Sequence, residues 1–164
     1  YLCNHGHKNI VVVGGYLSKN QISYARYLGC RKGFEVCGLS FDPEQNYVAC
    51  RYSMEAGYDT VKELLCRNSE VTAIVALSDT IAFGAMRAIQ DSGRRVPEDI
   101  SVTGFDGIEL AQFSIPRITT IKQDTQHIAT RSVELLIKHI HYNLKSEHDI
   151  APHNLIEGES VRTL

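Results

Sequence analysis

A chain of 164 residues, 43% hydrophobic and 22% charged, is long enough for one globular domain with its own core. Its formal net charge of −2 and the lack of any basic cluster beyond Arg94-Arg95 argue against DNA binding by these residues alone. The sequence contains no apolar run of roughly 18 residues and shows no charged-then-apolar leader, so we expect a cytoplasmic protein without a membrane span.

The first third of the chain alternates between strand-like and helix-like patterns. Residues 1–4 are typical of a helix end before a glycine, and the apolar run at residues 9–15 predicts a buried strand. A helix is predicted over residues 21–32 and a second strand over residues 34–41. Residues 42–50 begin with Asp-Pro, a turn signal, and predict an irregular connection.

A strand–helix–strand unit is the most informative pattern of the sequence, and it follows a helix predicted over residues 53–66 with Ser53 as its cap. Residues 72–77 are a short β-branched apolar run, a helix follows, and residues 100–105 are a second apolar run. Such a unit predicts two parallel strands joined by a right-handed crossover. We therefore expect an α/β fold with a parallel sheet and helices on both faces.

Polar residues stand where the two strands of this unit end. Ser78 and Asp79 follow the first strand and also have the chemistry of helix caps, and Asp106 follows the second. In open parallel sheets, ligands bind beyond the carboxyl ends of the strands. The sequence therefore predicts a ligand-binding cleft at this edge.

The last third predicts a helical turn at residues 109–114, a strand at 118–121, a long helix at 124–142 and a final strand at 155–161, with a polar loop between the last two. The long helix has one apolar stripe that needs a partner layer. We expect the segment from residue 118 onward to pack in part on a second lobe. The stripe consists of Ala129, Val133, Leu136, Ile137 and Ile140.

The five cysteines are odd in number and include no CxxC pair, which favours reduced thiols over a disulfide framework or a catalytic nucleophile. The histidine pairs His5/His7 and His139/His141 raise the question of a metal site. Their spacing does not favour one, because residues two apart on a helix point in different directions and the first pair flanks a glycine turn. We expect no metal and no cofactor.

The sequence resembles the lac-repressor (LacI/GalR) family of bacterial transcription regulators over nearly its whole length. The resemblance implies a periplasmic-binding-protein-like I lobe, with residues 1–117 as the second lobe of an effector-binding domain. Residues 118–164 would be a crossover that belongs in part to the first lobe, and the helix-turn-helix headpiece has no counterpart here. The motifs are GHKNI (6–10), RYLG (26–29), YSMEAGY (52–58), SDTIAFGAMRAI (78–89), VPEDISVTGFD (96–106) and ITTIKQD (118–124).

The same resemblance places Arg26 and Asp106 at positions that contact ligand hydroxyls in sugar-responsive members. A carboxylate accepts hydrogen bonds from two hydroxyls and a guanidinium donates to two, so the pair suits a polyhydroxylated ligand. Helix capping for Asp106, and a solvated helix face or an ion pair for Arg26, are the alternatives.

Four weaker candidates complete the predicted ligand site. Ser78 stands where many members carry Asn, and it is as well suited to capping a helix; Asp79 is better suited to capping or to supporting the loop. Tyr52 matches a position where an aromatic ring stacks on a sugar, with a packed tyrosine as the alternative. Gln123, together with Thr125, follows the crossover strand. Gly107 is a departure, because a second acid is common there.

The function implied is allosteric control: an effector bound between two lobes favours one orientation of them and thereby changes operator-DNA affinity. We expect a small-molecule effector, DNA contact only through the missing headpiece, a homodimer when intact, and no enzymatic activity. A secreted sugar-binding protein of a transporter is the alternative. A Rossmann-type enzyme is disfavoured, because VVVGG (11–15) is not the GxGxxG fingerprint.

Overall fold

The computed structural model describes residues 1–19, 21–142 and 149–164, and it contains one six-stranded sheet. The strands run in the order β2-β1-β3-β4-β5-β6, and all neighbours are parallel except the antiparallel pair β5–β6. The strands are β1 (Ile10–Gly14), β2 (Tyr47–Ala49), β3 (Ala73–Ala76), β4 (Ser101–Asp106), β5 (Thr119–Gln123) and β6 (His153–Ile156).

Five α-helices and two short 3-10 helices connect the strands. The α-helices are α1 (Ile22–Val36), α2 (Pro43–Asn46), α3 (Met54–Arg67), α4 (Asp79–Asp91) and α5 (Thr125–Tyr142), and the 3-10 helices are Cys3–His5 and Glu109–Gln112. No helix of the described residues is long and apolar enough to cross a bilayer.

Both faces of the central strands are covered, which confirms the predicted α/β fold. In β1, Ile10 and Val12 pack in the cluster under α1, whereas Val11 and Val13 pack in the cluster under α3 and α4. Since alternate residues of a strand point to opposite faces, a strand buried on both sides reads as a continuous apolar run. This is why residues 9–15 were recognisable as a strand.

Helices α3 and α4 approach each other more closely than side chains would allow. A Cβ atom added to Gly84 would overlap the backbone of Met54 and Tyr58, and one added to Gly57 would lie 2.7 Å from the carbonyl oxygen of Ile81. These two glycines therefore let the helix backbones touch and fix the position of the first turn of α4.

The predicted strand over residues 34–41 is wrong. Helix α1 continues to Val36, and Gly38, with φ +68°, lies in the turn that follows it. Phe34 fills the core from the helix, and Phe41 packs edge-to-face on Phe34 from the following loop, with ring centroids 4.9 Å apart. Their apolar character thus reflects core filling from a helix end and a loop.

Strand β2 was not predicted. It lies within residues 42–50, which were predicted to be an irregular connection. Asp42 caps α2 by accepting a hydrogen bond from the Glu44 amide at 3.0 Å, and the Asn46 side chain donates to the carbonyl of Ile10 at 3.0 Å. This places Tyr47 beside Val12 in parallel register. Because β2 is a three-residue edge strand that is not buried, it carries little hydrophobic signal.

The C-terminal elements follow the prediction in part. The final strand is β6, earlier and shorter than predicted, and the backbone from residue 157 to residue 161 is irregular although Ser160 pairs with Val102 (N···O 2.8 Å). Of the predicted polar loop, residues 143–148 lie outside the described part of the chain. Helix α5 forms as predicted, and Val133, Leu136, Ile137 and Ile140 of its stripe are exposed.

Candidate ligand-binding site

The carboxyl ends of β1, β3, β4 and β5 lie side by side and carry polar groups. Leu77 follows β3, Asp106 is the last residue of β4, and Gln123 is the last residue of β5. Helix α1 begins above this edge, so its first turns bring further side chains to the same place. Polar groups from separate parts of the sequence therefore come together at this edge of the sheet.

Arg26 and Asp106 form the centre of this cluster. Arg26 Nη2 donates to Asp106 Oδ1 at 3.0 Å, and Nη1 donates to the carbonyl oxygen of Leu77 at 2.5 Å. The guanidinium stacks on Phe105, with Cζ 4.0 Å from the ring centroid. The Arg26 side chain is 11% exposed and that of Asp106 is 31% exposed. The structure thus brings together the two residues that the sequence singled out, and it leaves the carboxylate open to solvent.

Gln123 joins the pair, since its Nε2 donates to Asp106 Oδ1 at 2.8 Å. Arg26 and Gln123 therefore share one oxygen of the carboxylate. Asp106 Oδ2 makes no hydrogen bond with any residue in the described part of the chain, and Arg26 Nε is buried without such a partner there. One acceptor of the cluster thus remains available to a ligand.

The backbone at Asp106 is held in an unusual conformation. Its φ is +112°, the one positive φ among the described non-glycine residues, and Gly107 follows with φ +69°. A Cβ atom on Gly107 would lie 2.5 Å from Lys122 Cα. Backbone strain of this kind costs on the order of 1–3 kcal/mol and persists where the surrounding structure enforces it. The same close approach gives a physical reason why no second acid follows Asp106 in this chain.

Tyr52 lies at the neighbouring part of the edge. Its hydroxyl is 3.2 Å from Ser23 Oγ, and its ring is partly exposed. Ser23 stands three residues before Arg26 on α1, so both lie on one helix face. Gly15 leaves no room for a side chain, because a Cβ atom there would lie 2.6 Å from Cε2 of the Tyr52 ring.

Asp79 does not fit the predicted ligand contact. It has no exposed surface; Thr120 Oγ1 donates to its Oδ1 at 2.6 Å and the Ile108 amide donates to its Oδ2 at 2.8 Å. Burial raises the pKa of Asp79, and the hydrogen bonds from Thr120 and Ile108 oppose that rise. Asp79 therefore fastens the start of α4 to β5 and to the loop after β4.

Ser78 is likewise buried and acts as the cap of α4. Its Oγ accepts a hydrogen bond from the Ile81 amide at 3.2 Å and lies 2.8 Å from Thr80 Oγ1. Thr125 is the exposed first residue of α5. Two contributors to the site were not predicted from the sequence. The three-residue spacing to Arg26 could have indicated Ser23, whereas Phe105 carries no signal that separates it from a core residue of β4.

The described residues offer no cluster of three His, Cys, Asp or Glu side chains placed to hold a metal ion. The site is built from hydrogen-bonding and aromatic groups around the ion pair of Arg26 with Asp106.

Comparison with known proteins assigns the family. The model of the periplasmic binding protein-like domain matches residues 1–161, and the chain therefore belongs to that family of domains. The HTH-type transcriptional repressor PurR of Pasteurella multocida is 37% identical over 147 residues, which are 90% of this chain and 43% of the relative. This chain spans about half the length of the curated relatives it matches.

Solved structures narrow the assignment. A LacI family transcriptional regulator from Enterococcus faecium with bound ribose superposes with a TM-score of 0.86 at 28% identity, over 99% of this chain and 60% of that one. A lac repressor dimer bound to operator and an anti-inducer gives a TM-score of 0.87 at 29% identity, over 98% and 55%. The chain is thus part of an effector-binding domain of the LacI/GalR type.

Proposed function

We propose that this chain senses a neutral, polyhydroxylated effector, a sugar, on behalf of a bacterial transcription repressor of the LacI/GalR type. The observation that carries the proposal is the Arg26–Asp106–Gln123 cluster at the carboxyl edge of the sheet. Its half-exposed carboxylate accepts from hydroxyl groups, and Gln123 and Tyr52 supply further polar contacts. The ribose bound to the Enterococcus faecium regulator supports this class of ligand.

The charge balance of the cluster favours an uncharged ligand. The positive charge of Arg26 is already paired with Asp106 at 3.0 Å, so the cluster offers no excess positive charge to a phosphate or carboxylate. A sugar hydroxyl, by contrast, donates to Asp106 Oδ2 and accepts from a polar neighbour without breaking the pair. The site would bind its ligand without converting it.

The second half of the proposal concerns the domain arrangement. Residues 1–117 would form one lobe, and residues 118–164 a crossover that contributes to another lobe. The exposed apolar stripe of α5 supports this, because a helix with such a stripe is stable when the stripe is covered by a partner layer. A ligand held between the lobes shifts the equilibrium between their orientations only if it binds one orientation more tightly.

The remaining partners belong to the whole protein. We propose that a helix-turn-helix headpiece outside these residues contacts operator DNA, that the whole protein is a homodimer, and that it acts in the cytoplasm. The PurR relative, named as a repressor, and the operator-bound lac repressor dimer support these proposals and favour a regulator over a secreted transporter component.

The test measures effector affinity in the full-length protein. A panel of pentoses, hexoses and disaccharides is screened by thermal shift, and the Kd of each hit is measured by calorimetry for the wild type and for Asp106→Asn. Asparagine tolerates a positive φ and keeps the shape of the side chain, so the variant removes the charge and replaces one acceptor oxygen with an NH2 donor. Since hydrogen bonds to a charged group contribute about 1.5–3 kcal/mol, we expect Kd to rise about 10- to 100-fold.

Asp91→Asn is the matched control, because Asp91 pairs with Arg87 on the exposed side of α4. Its Kd should equal that of the wild type. An unchanged Kd for Asp106→Asn, with an unchanged melting temperature, would exclude Asp106 from the effector contact. If no sugar in the panel binds the wild type, the proposed ligand class is wrong.

A further inference from the structure

Three of the five cysteines line one apolar cavity of about 470 Å³ between α1 and the sheet. Cys3 lies in the 3-10 helix at the start of the chain, Cys30 lies on α1, and Cys37 follows the end of α1. Cys37 is exposed, whereas Cys3 and Cys30 are half-buried. The cavity thus brings together thiols that are well separated in the sequence.

Within this group, Cys3 and Cys37 lie close enough for the Cys37 thiol to raise the pKa of Cys3. Each lies beside a turn that involves a glycine with positive φ: Gly6 ends the 3-10 helix, and Gly38 follows Cys37 directly. Packing around Leu2 and Phe34, both buried in the cluster under α1, holds the two segments side by side. The pairing is therefore a feature of the packed fold and connects two segments that are remote in sequence.

We propose that Cys3 and Cys37 are a reversible disulfide site that closes when the protein meets a peroxide. In the first step the Cys37 sulfur attacks one oxygen of hydrogen peroxide, the O–O bond breaks, and Cys37 becomes a sulfenic acid with release of one water. In the second step the Cys3 sulfur attacks the Cys37 sulfur, the S–O bond breaks, and a second water leaves with the thiol proton. Two thiols are oxidised by two electrons and one peroxide is reduced to two waters.

The order of the two steps follows from exposure. Cys37 is open to solvent, so a dissolved oxidant meets its sulfur first. Burial and, to a smaller degree, the neighbouring Cys37 thiol raise the pKa of Cys3 to about 11, so Cys3 is protonated near neutral pH and reacts with peroxide more slowly than a thiolate would. This arrangement of an exposed thiol beside a second, resolving thiol is the one that oxidant-sensing cysteines use.

The other cysteines provide internal controls. Burial raises the pKa of Cys30 to about 11. Cys30 lies on α1, about two helical turns before Cys37. Cys66 is exposed on α3, on the opposite face of the sheet, and Cys50 is buried. A reaction driven by exposure alone would modify Cys66 as readily as Cys37.

The disulfide would tie the first turn of the chain to the end of the helix that carries Ser23 and Arg26. Linking residues 3 and 37 restricts the unfolded chain, and we expect the melting temperature to rise by about 5–15 °C. Because α1 contributes to the proposed ligand site, this bond is a means by which oxidation reaches that site. The disulfide site itself does not depend on the proposed function.

The experiment treats the reduced protein with a few equivalents of hydrogen peroxide and counts free thiols, which we expect to fall from five to three per chain and to recover with dithiothreitol. Trypsin cuts after Lys8, Lys32 and Arg51, so the bond should appear as a peptide ending at Lys8 linked to residues 33–51. The second peptide also contains Cys50, and a Cys50→Ser background identifies the linked residue.

Four further variants decide the outcome. Cys37→Ser should abolish the linked peptide, and Cys3→Ser should leave a Cys37 sulfenic acid that dimedone traps. Cys30→Ser and Cys66→Ser should both keep the wild-type bond. The proposal is overturned if the link forms through Cys30, if chains become joined to one another through Cys37 or Cys66, or if Cys37 is oxidised to the sulfinic acid with no disulfide present.

Discussion

Helices α4 and α5 have similar apolar patterns, but the apolar side chains of α4 are buried and those of α5 are exposed. In α4, Ile81, Ala85 and Ile89 have no exposed surface, whereas in α5 the residues of the stripe are exposed, with Leu136 at 59%. An apolar stripe is typical of a helix face that is buried, yet within the described residues the stripe of α5 is largely exposed. The comparison separates a helix whose packing is complete from one whose packing is proposed to be completed by a second lobe.

Truncating a buried residue of α4 should change the stability more than any other substitution considered for these helices. Ile89→Ala in α4 removes buried methyl groups from a filled core, and we expect the free energy of unfolding to fall by about 2–5 kcal/mol. Leu136→Ala in α5 shortens a side chain that is 59% exposed, and we expect a change within about 0.5 kcal/mol in this chain. Urea unfolding of the two variants measures both values.

Measuring Leu136→Ala in the full-length protein tests the proposal that a second lobe covers α5. In the full-length protein, a covered Leu136 should cost about 2 kcal/mol or more on truncation to alanine. If Leu136→Ala is as harmless there as in this chain, the stripe of α5 faces solvent in the whole protein and the proposed arrangement of lobes fails.

A second comparison sets two helical glycines against each other. Gly84→Ala on α4 forces a Cβ atom into the backbone of Met54, and we expect a loss of about 1–3 kcal/mol or an altered α3–α4 packing. Gly29→Ala on α1 meets nothing within 4 Å and should stabilise by about 0.5–1 kcal/mol through helix propensity. Thermal unfolding gives both signs, and equal effects would contradict the close contact between α3 and α4.

The smallest effect concerns the chain ends, which, unlike α5, are packed onto the sheet. His7 is buried, with Nδ1 3.1 Å from Thr72 Oγ1 and Nε2 3.1 Å from the carbonyl of Arg162. Burial lowers the pKa of His7 below the unfolded value of 6.5, with a smaller contribution from the charge of Arg162, and the backbone hydrogen bond opposes this.

The sign of the pH dependence follows from that lowered pKa. The unfolded chain binds the proton more readily than the folded one, so the stability from a neutral His7 is complete above about pH 6.5 and is lost as the pH falls through its folded-state pKa. The free energy of unfolding should decrease from pH 7 to pH 5, and His7→Gln should show a smaller decrease. Equal slopes for both proteins would show that the acid sensitivity arises elsewhere.

The sequence predicted the elements whose burial is local and periodic. Three strands, β1, β3 and β4, were recognisable because each is a continuous apolar run. Helix α4 was recognisable because its apolar residues repeat at helical spacing and Ser78 caps its start. Residues 34–41 misled because Phe34 and Phe41 enter the core from a helix end and a loop, and β2 was missed because an edge strand of three residues has almost no pattern.

The sheet topology made only part of the candidate site predictable from the sequence. The ends of parallel strands meet at one edge, which is enough to expect Asp106 near the other polar strand ends, and the family resemblance supplied Arg26. The hydrogen bond of Thr120 to Asp79 joins residues 41 positions apart and depends on the register of β5, which no local pattern encodes. For that reason Asp79 was among the predicted ligand contacts although its side chain is sealed inside the fold.

The hydrogen bonds of Asp79 bear on how the candidate site responds to a bound ligand. One carboxylate fixes the start of a helix, a strand and a loop at the rim, so we expect the rim to keep its outline when a ligand binds. A preformed rim loses little conformational entropy on association, and more of each contact is then expressed as affinity. In the proposed two-lobe arrangement, we therefore expect any rearrangement on ligand binding to occur in the links between the lobes and not in this rim.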